Sequence, residues 1–252
     1  MSKLWASMSL AFIGATAMAA ADAPATDGAK AAAEKKIRVL VVAGGHGYPV
    51  KPFRAAFDAY ADMECTFVDE KVGGEEFDDI SRWPHDAIVL YNYQKKLSDT
   101  QRENFLTLLD RGVGLVILHH GIYGYRPWPE YQKIVGVTSW LSGSKDDVDL
   151  KIHVEDPNHP ITQGLADFST TDETYRGQNP DPSVHVLLTT DEPTNAKAVA
   201  WVHTYRKAPV CYFQLGHDAK GYANPGYATF LGQAIRWAAG RLGKAEAQPR
   251  GK

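Results

Sequence analysis

Cysteine is nearly absent from this chain: Cys65 and Cys211 are the only two in 252 residues. That excludes a fold held together by a framework of disulfides. Both lie inside strand-like runs, Cys-Thr-Phe-Val and Val-Cys-Tyr-Phe. A small apolar side chain suits a buried face there, so both are expected to be buried free thiols. A basic excess is missing too. The formal net charge is −3 and no basic run occurs, which argues against nucleic acid as the main partner. Beyond the first twenty residues there is no apolar run long enough to span a membrane, and there is no internal repeat.

The amino terminus has a different character. Lys3 precedes a largely apolar stretch from Leu4 to Ala20, and Ala17-Met18-Ala19 supplies a small-x-small cleavage site. Residues 1–19 read as a secretory signal peptide rather than an anchor, being too short and alanine-rich to cross a bilayer. The protein is therefore expected to be exported, to the periplasm or beyond. Residues 20–36 read as a flexible lead-in, 37–242 as the folded domain and 243–252 as a polar, disordered tail.

Within that domain, apolar runs at Ile37–Ala43, Glu64–Val68, Ala87–Tyr91 and Leu115–Leu118 read as strands. Helices are expected from Pro52 to Tyr60 and from a Ser98 cap with Gln101 at the capping-box position to Arg111-Gly112. The order β-α-β-β-α-β favours a parallel, doubly wound sheet. A short helix follows from Trp128 to Val135. Val148–Val154 alternates like a half-exposed strand, and Asp156–Pro160 reads as a turn. Ile161 to Pro182 has little periodicity and reads as a long loop, the kind that is usually functional. Strands at Val184–Leu188, Ala198–Val202 and Pro209–Leu215 and a helix from Pro225 to Arg241 complete the domain.

Three strands end in histidine turns flanked by glycine: His46 after the first, His119-His120 after the central one and His217 after the last. Parallel strands would put all three on the carboxyl rim, where open α/β sheets bind ligands. Two chemistries fit. His46, His119 and His217 can hold a divalent metal such as zinc with an open position, although no close His-x-x-x-His pair is present. Alternatively, His119 and His217 exchange protons with Asp172 or Glu173. Nucleophilic catalysis from the elbow fails, because His119-His120-Gly121 offers no Ser or Cys. Trp128, Tyr131, Tyr123 and Tyr125 cluster after the histidine pair and suit the apolar faces of sugar rings. His85, His153, His185 and His203 lie before or within strands and are given no role.

The motifs Gly44-Gly45-His46, Gly114-Leu-Val-Ile-Leu-His119, Trp128-Pro-Glu-Tyr131, His159-Pro160-Ile161, Asp172-Glu173-x-Tyr175, Ala200-Trp201 and Leu215-Gly216-His217-Asp218 occur in this order. Together they resemble the trehalose-utilisation (ThuA-like) family, over residues 37 to 240. The resemblance implies a class I glutamine amidotransferase-like fold, a flavodoxin-like three-layer α/β/α sandwich with a mostly parallel sheet. It points to His46, His119, Asp172, Glu173, His217 and Asp218 as site positions, and to disaccharides, including sugars oxidised at a ring carbon, as substrates. Amidotransferases carry a nucleophilic cysteine where this chain has His119-His120-Gly121, so glutaminase activity is not expected. Many members have a histidine shortly after the Trp-Pro-Glu-Tyr helix, where this chain runs from Ser139 to Ser144.

The expectation is an exported carbohydrate-processing enzyme, a hydrolase or lyase acting on a disaccharide or its keto derivative. His119, His217, Glu173 and Asp172 would be catalytic. His46, His120, Trp128, Tyr131, Tyr175 and Asp218 would bind substrate. A sugar-binding domain without catalysis is the alternative. The sequence leaves room for a homo-oligomer. Gly121 is expected to be needed for left-handed dihedrals or for close packing at the elbow.

Overall fold

The computed structural model describes residues 35–242; the leader expected at 1–19, the lead-in up to residue 34 and the tail at 243–252 lie outside the described residues. The apolar runs form strands β1 (Ile37–Gly44), β2 (Met63–Asp69), β3 (Ala87–Asn92) and β4 (Gly114–Leu118). β3 and β4 are buried at every residue, as strands covered on both faces must be. Parallel pairing joins β2 to β1, β1 to β3 and β3 to β4. The last strand in sequence, β11 (Ala208–Phe213), adds to β4 in the same sense. β1 leaves to β2 on one side and to β3 on the other, which opens a crevice at the carboxyl rim.

Helices cover both faces. α1 (Val50–Asp58) and α5 (Pro225–Ala238) pack with Val39, Val41 and Phe213; α2 (Asp99–Asp110) and α3 (Pro129–Val135) pack with Leu40, Leu115 and Ile117. The Ser98–Gln101 capping box forms as expected. α1 begins at Val50, so Pro52 sits within the first turn, where its missing amide still leaves no intrahelical bond unmade. Each fully buried Leu, Ile or Phe contributes about 1.5–3 kcal/mol. The three-layer α/β/α architecture is thus the expected one.

Beyond β11 the sheet changes sense. β10 (Ala198–Tyr205), β9 (His185–Thr190), β6 (Gly143–Val154) and β7 (Phe168–Arg176) continue it antiparallel, giving nine strands in the order β2-β1-β3-β4-β11-β10-β9-β6-β7. β5 (Val137–Ser139) and β8 (Asn179–Pro180) form a separate small pair.

β7 corrects the expected loop from Ile161 to Pro182. Its Thr170, Asp172 and Thr174 are buried while Ser169, Thr171 and Glu173 are more exposed. The strand period is present, but it is written in polar residues, so the hydrophobic pattern misses it. Cys65 on β2 and Cys211 on β11 are both free. Four strand spacings of about 4.8 Å separate them, far beyond disulfide reach. Cys211 is buried as expected, whereas Cys65 is only half-buried. Among the described residues, no helix is long and apolar enough to cross a membrane.

Candidate functional site

His119 leaves β4 in the left-handed region, with φ of 49°. For a residue with a Cβ this costs on the order of 1–3 kcal/mol, so the surroundings must enforce it. A short 3-10 turn, His119–Tyr123, follows directly. Tyr131 Oη donates to the Gly121 carbonyl at 2.5 Å. A Cβ on Gly121 would lie 2.5 Å from the Leu90 carbonyl oxygen. The elbow is therefore real, but the left-handed residue is the histidine, and Gly121 is required by close approach alone.

The His119 ring is buried and fixed from both ends. Nδ1 donates to the Gln214 carbonyl at 2.8 Å. Nε2 faces Glu173 Oε2 at 3.0 Å, Tyr175 Oη at 3.1 Å and His217 Nδ1 at 3.3 Å. His217 Nδ1 lies 3.2 Å from the same Glu173 oxygen. Burial works to raise the Glu173 carboxyl, but the imidazoles of His119 and His217 outweigh it and hold the group below the usual carboxylate range. The Glu173 hydrogen bond, against some desolvation, raises His217 above the ordinary imidazole value.

His119, Glu173 and His217 form a candidate metal set. With Nδ1–H committed to Gln214, the neutral ring turns its Nε2 lone pair toward Glu173, Tyr175 and His217, where a cation or the Tyr175 hydroxyl can meet it. A backbone carbonyl on the far nitrogen is the usual orientation of a metal-ligating histidine. Metal–ligand bonds of about 2.1 Å put neighbouring ligand atoms about 3.0–3.4 Å apart in tetrahedral or octahedral geometry. The three observed separations, 3.0, 3.2 and 3.3 Å, fall in that window. Two imidazoles and a carboxylate, with the remaining directions open, are a donor set suited to zinc or ferrous iron.

Beside this set lies a pocket of about 150 Å³ whose walls include His46, Tyr93, His120, Tyr123, Ser144 and Glu173. His120 Nε2 donates to the Tyr91 carbonyl at 3.0 Å, while its Nδ1 is buried without a partner. Desolvation, assisted by His119 and His46, pulls the His120 pKa down to about 2. Its ring is thus neutral across the physiological range and offers one free acceptor. Tyr93 and Tyr123 meet at 6.0 Å between ring centroids and give the pocket an aromatic wall.

The expected site residues divide. His119, His120, Glu173, Tyr175 and His217 converge as anticipated. His46 is on the same rim, but its ring packs 4.8 Å from His120 and its Nδ1 bonds the Gly47 carbonyl; Glu173 stands in the ligand set where His46 was expected. Asp172 is buried, and its carboxylate accepts from the backbone amides of Gly216, His217 and Glu173 at 2.8–3.1 Å. Burial raises its pKa despite those donors. It holds the His217 turn and does not face the pocket.

Asp218 caps α4 (Ala219–Tyr222) through Lys220 and Gly221 and is spent there. Trp128 and Tyr131 are not a sugar platform: both are buried among Phe105, Tyr125 and their neighbours. Tyr125 is buried as well, donating to Glu70 Oε1 at 2.7 Å. Tyr93, Ser144 and Gln214 were missed. Tyr93 follows β3 just as the histidines follow their strands, so the rim rule reaches it. Gln214 was legible as a lone amide between Phe213 and Leu215, because a buried polar group must find partners.

The trehalose-utilisation profile, ThuA, matches residues 38–238. No curated protein sequence matches the chain. Among solved structures, a ThuA-like protein from Parabacteroides merdae superposes with a TM-score of 0.70 at 19% identity, covering 86% of this chain and 94% of that one. A ThuA-like protein from Bacteroides uniformis gives a TM-score of 0.65 at 19% identity, covering 82% and 93%. A β-galactosidase from Bacillus circulans shares the fold over 79% of this chain and 31% of its own, with a TM-score of 0.55 at 13% identity. At such identities the structural likeness speaks for the fold, and the profile match across almost the whole described region shows that the chain belongs to the trehalose-utilisation (ThuA) family.

Proposed function

We propose that the rim pocket is the active site of an exported carbohydrate-processing enzyme, a hydrolase or lyase for a disaccharide or its keto derivative, with His119, Glu173 and His217 holding a divalent metal such as zinc. The observation that carries this reading is the convergence of two imidazole nitrogens and a carboxylate oxygen within 3.0–3.3 Å beside a partly aromatic pocket. A bound ion would supply Lewis-acid activation of a sugar oxygen or a water.

The chain's own groups fit the remaining tasks. Glu173, kept ionised below the usual carboxylate range, suits the role of ligand and is neither a strong base nor a good general acid. The neutral His120 ring forms part of the pocket wall, and with its low pKa it orients rather than protonates. The Tyr93 and Tyr123 rings offer faces for the CH side of a pyranose. Export rests on the leader character of residues 1–19.

The test is turnover by metal-loaded protein of trehalose and its ring-keto derivative, followed by release of reducing or eliminated sugar. His119→Ala and His217→Ala are expected to abolish it. Sugar affinity retained in both variants, with no turnover by the wild type, would leave the non-catalytic binder as the better reading.

A further inference from the structure

The rim pocket holds only about 150 Å³, whereas sites that enclose small ligands usually offer roughly 300–1,000 Å³. One sugar ring nearly fills it, so the rest of any glycoside must extend along neighbouring surface. The lining residues mark a route. Ser144 belongs both to this pocket and to a cleft of about 290 Å³. Arg176 belongs both to that cleft and to a cavity of about 600 Å³ beyond it.

The cleft has a distinct chemistry. Its lining is Gly143, Ser144, Lys145, Thr174, Arg176 and Thr194: two cations, three hydroxyls and no carboxylate. Among the described residues, lysine and arginine ion pairs use Arg38, Arg102, Lys133, Arg206, Lys220 and Arg236, and neither Lys145 nor Arg176. The Glu192 carboxylate, lowered first by Thr194 and in part by Lys145, is turned to the Thr194 amide and hydroxyl at 3.1 and 2.8 Å and makes no ion pair with Lys145. Lys145 and Arg176 are both exposed, and each is left free to meet an oxyanion entering the cleft. In the cavity beyond, Gln178 is 1% exposed and donates to Gln214 Oε1 at 3.2 Å, while its own Oε1 is buried without a partner. Glu155, the acidic residue of that cavity, is engaged by the Thr189 hydroxyl.

We propose that the Lys145–Arg176 cleft is a second subsite that binds an oxyanion on the substrate's second sugar unit. The substrate class is then an acidic glycoside, carrying a carboxylate or a phosphate. This rests on the carbohydrate reading of the rim pocket. Arginine supplies a planar fork for either oxyanion and lysine a second point charge. Arg176 and Lys145 act in specificity, since neither touches the His119–Glu173–His217 set.

Calorimetric binding to the full chain tests this with trehalose and cellobiose as neutral probes, cellobiouronic acid for the carboxylate and trehalose 6-phosphate for the phosphate. At least one acidic sugar is expected to bind about tenfold tighter than its neutral counterpart, a charge-assisted effect, and the better of the two identifies the oxyanion. The double variant Lys145→Gln/Arg176→Gln should lose that preference while keeping the wild-type melting temperature and zinc uptake. Equal binding of acidic and neutral sugars, a preference that survives the double variant, or no binding of any probe would overturn the proposal. Glu173→Ala separates it from the active-site reading: that variant should lose metal and turnover yet retain the preference for the acidic sugar.

Discussion

The backbone carbonyl of Gln214 accepts the Nδ1 proton of His119 at 2.8 Å, and the same residue's side-chain Nε2 donates to the Glu173 carbonyl at 3.2 Å. One residue of the segment following β11 thus fixes both the tautomer of the elbow histidine and the position of the carboxylate that faces it. Its amide also pairs reciprocally with Asn195 at 2.7 and 3.2 Å.

That network makes Gln214→Leu a sharp test. The carbonyl would remain, so His119 keeps its tautomer, but Gln178, Asn195 and the Glu173 carbonyl lose partners in a buried setting. Each buried polar group left unpaired costs about 1–3 kcal/mol. Stability in urea should fall by about 2–4 kcal/mol, and metal affinity should weaken without being lost. A midpoint unchanged from the wild type would mean that the amide cluster does not hold the site.

Gly121→Val tests the elbow. A Cβ there would sit 2.5 Å from the Leu90 carbonyl, which is backbone and cannot swing away. Stability is expected to drop by roughly 1–3 kcal/mol, with loss of any activity because His119 and His120 both move. An exposed loop would give a change within about 0.5 kcal/mol. Wild-type melting together with retained activity would contradict the elbow.

A second acidic cluster gives a pH prediction. Burial, with the Glu70 carboxylate next in weight, pushes Glu76 from 4.5 up to about 9. A carboxyl whose folded pKa is raised favours the protonated folded state, so this group's contribution is full below its unfolded pKa. It is lost progressively as pH rises from about 4.5 to about 9. Glu76→Gln should remove that slope and stabilise the protein by about 1–2 kcal/mol at pH 8, with little change at pH 4. Parallel stability–pH curves for the two proteins would show that Glu76 does not bear the strain.

Much of this site was legible because strand ends carry function in open α/β sheets. The apolar run Leu115–Leu118 followed by His119 located the centre, and His217 followed by the same logic. What the pattern missed has physical causes. β7 carries Thr170, Asp172 and Thr174 inward, so no hydrophobic alternation announces the strand that delivers Glu173. Asp172 and Glu173 are neighbours in sequence, but a strand sends them to opposite faces: one clamps the Gly216–His217 amides and the other meets two histidines. Trp128 and Tyr131 looked like a sugar platform because large aromatics suit a core and a binding surface equally.

Elemental analysis of untagged protein, dialysed after zinc loading, decides whether His119, Glu173 and His217 make a metal centre. About one equivalent of zinc is expected in the wild type, with a raised melting temperature. His119→Ala and Glu173→Ala should each retain less than about a tenth of an equivalent. A wild type that also holds less than about a tenth of an equivalent of any divalent transition metal, and melts at the same temperature with and without zinc, would contradict it.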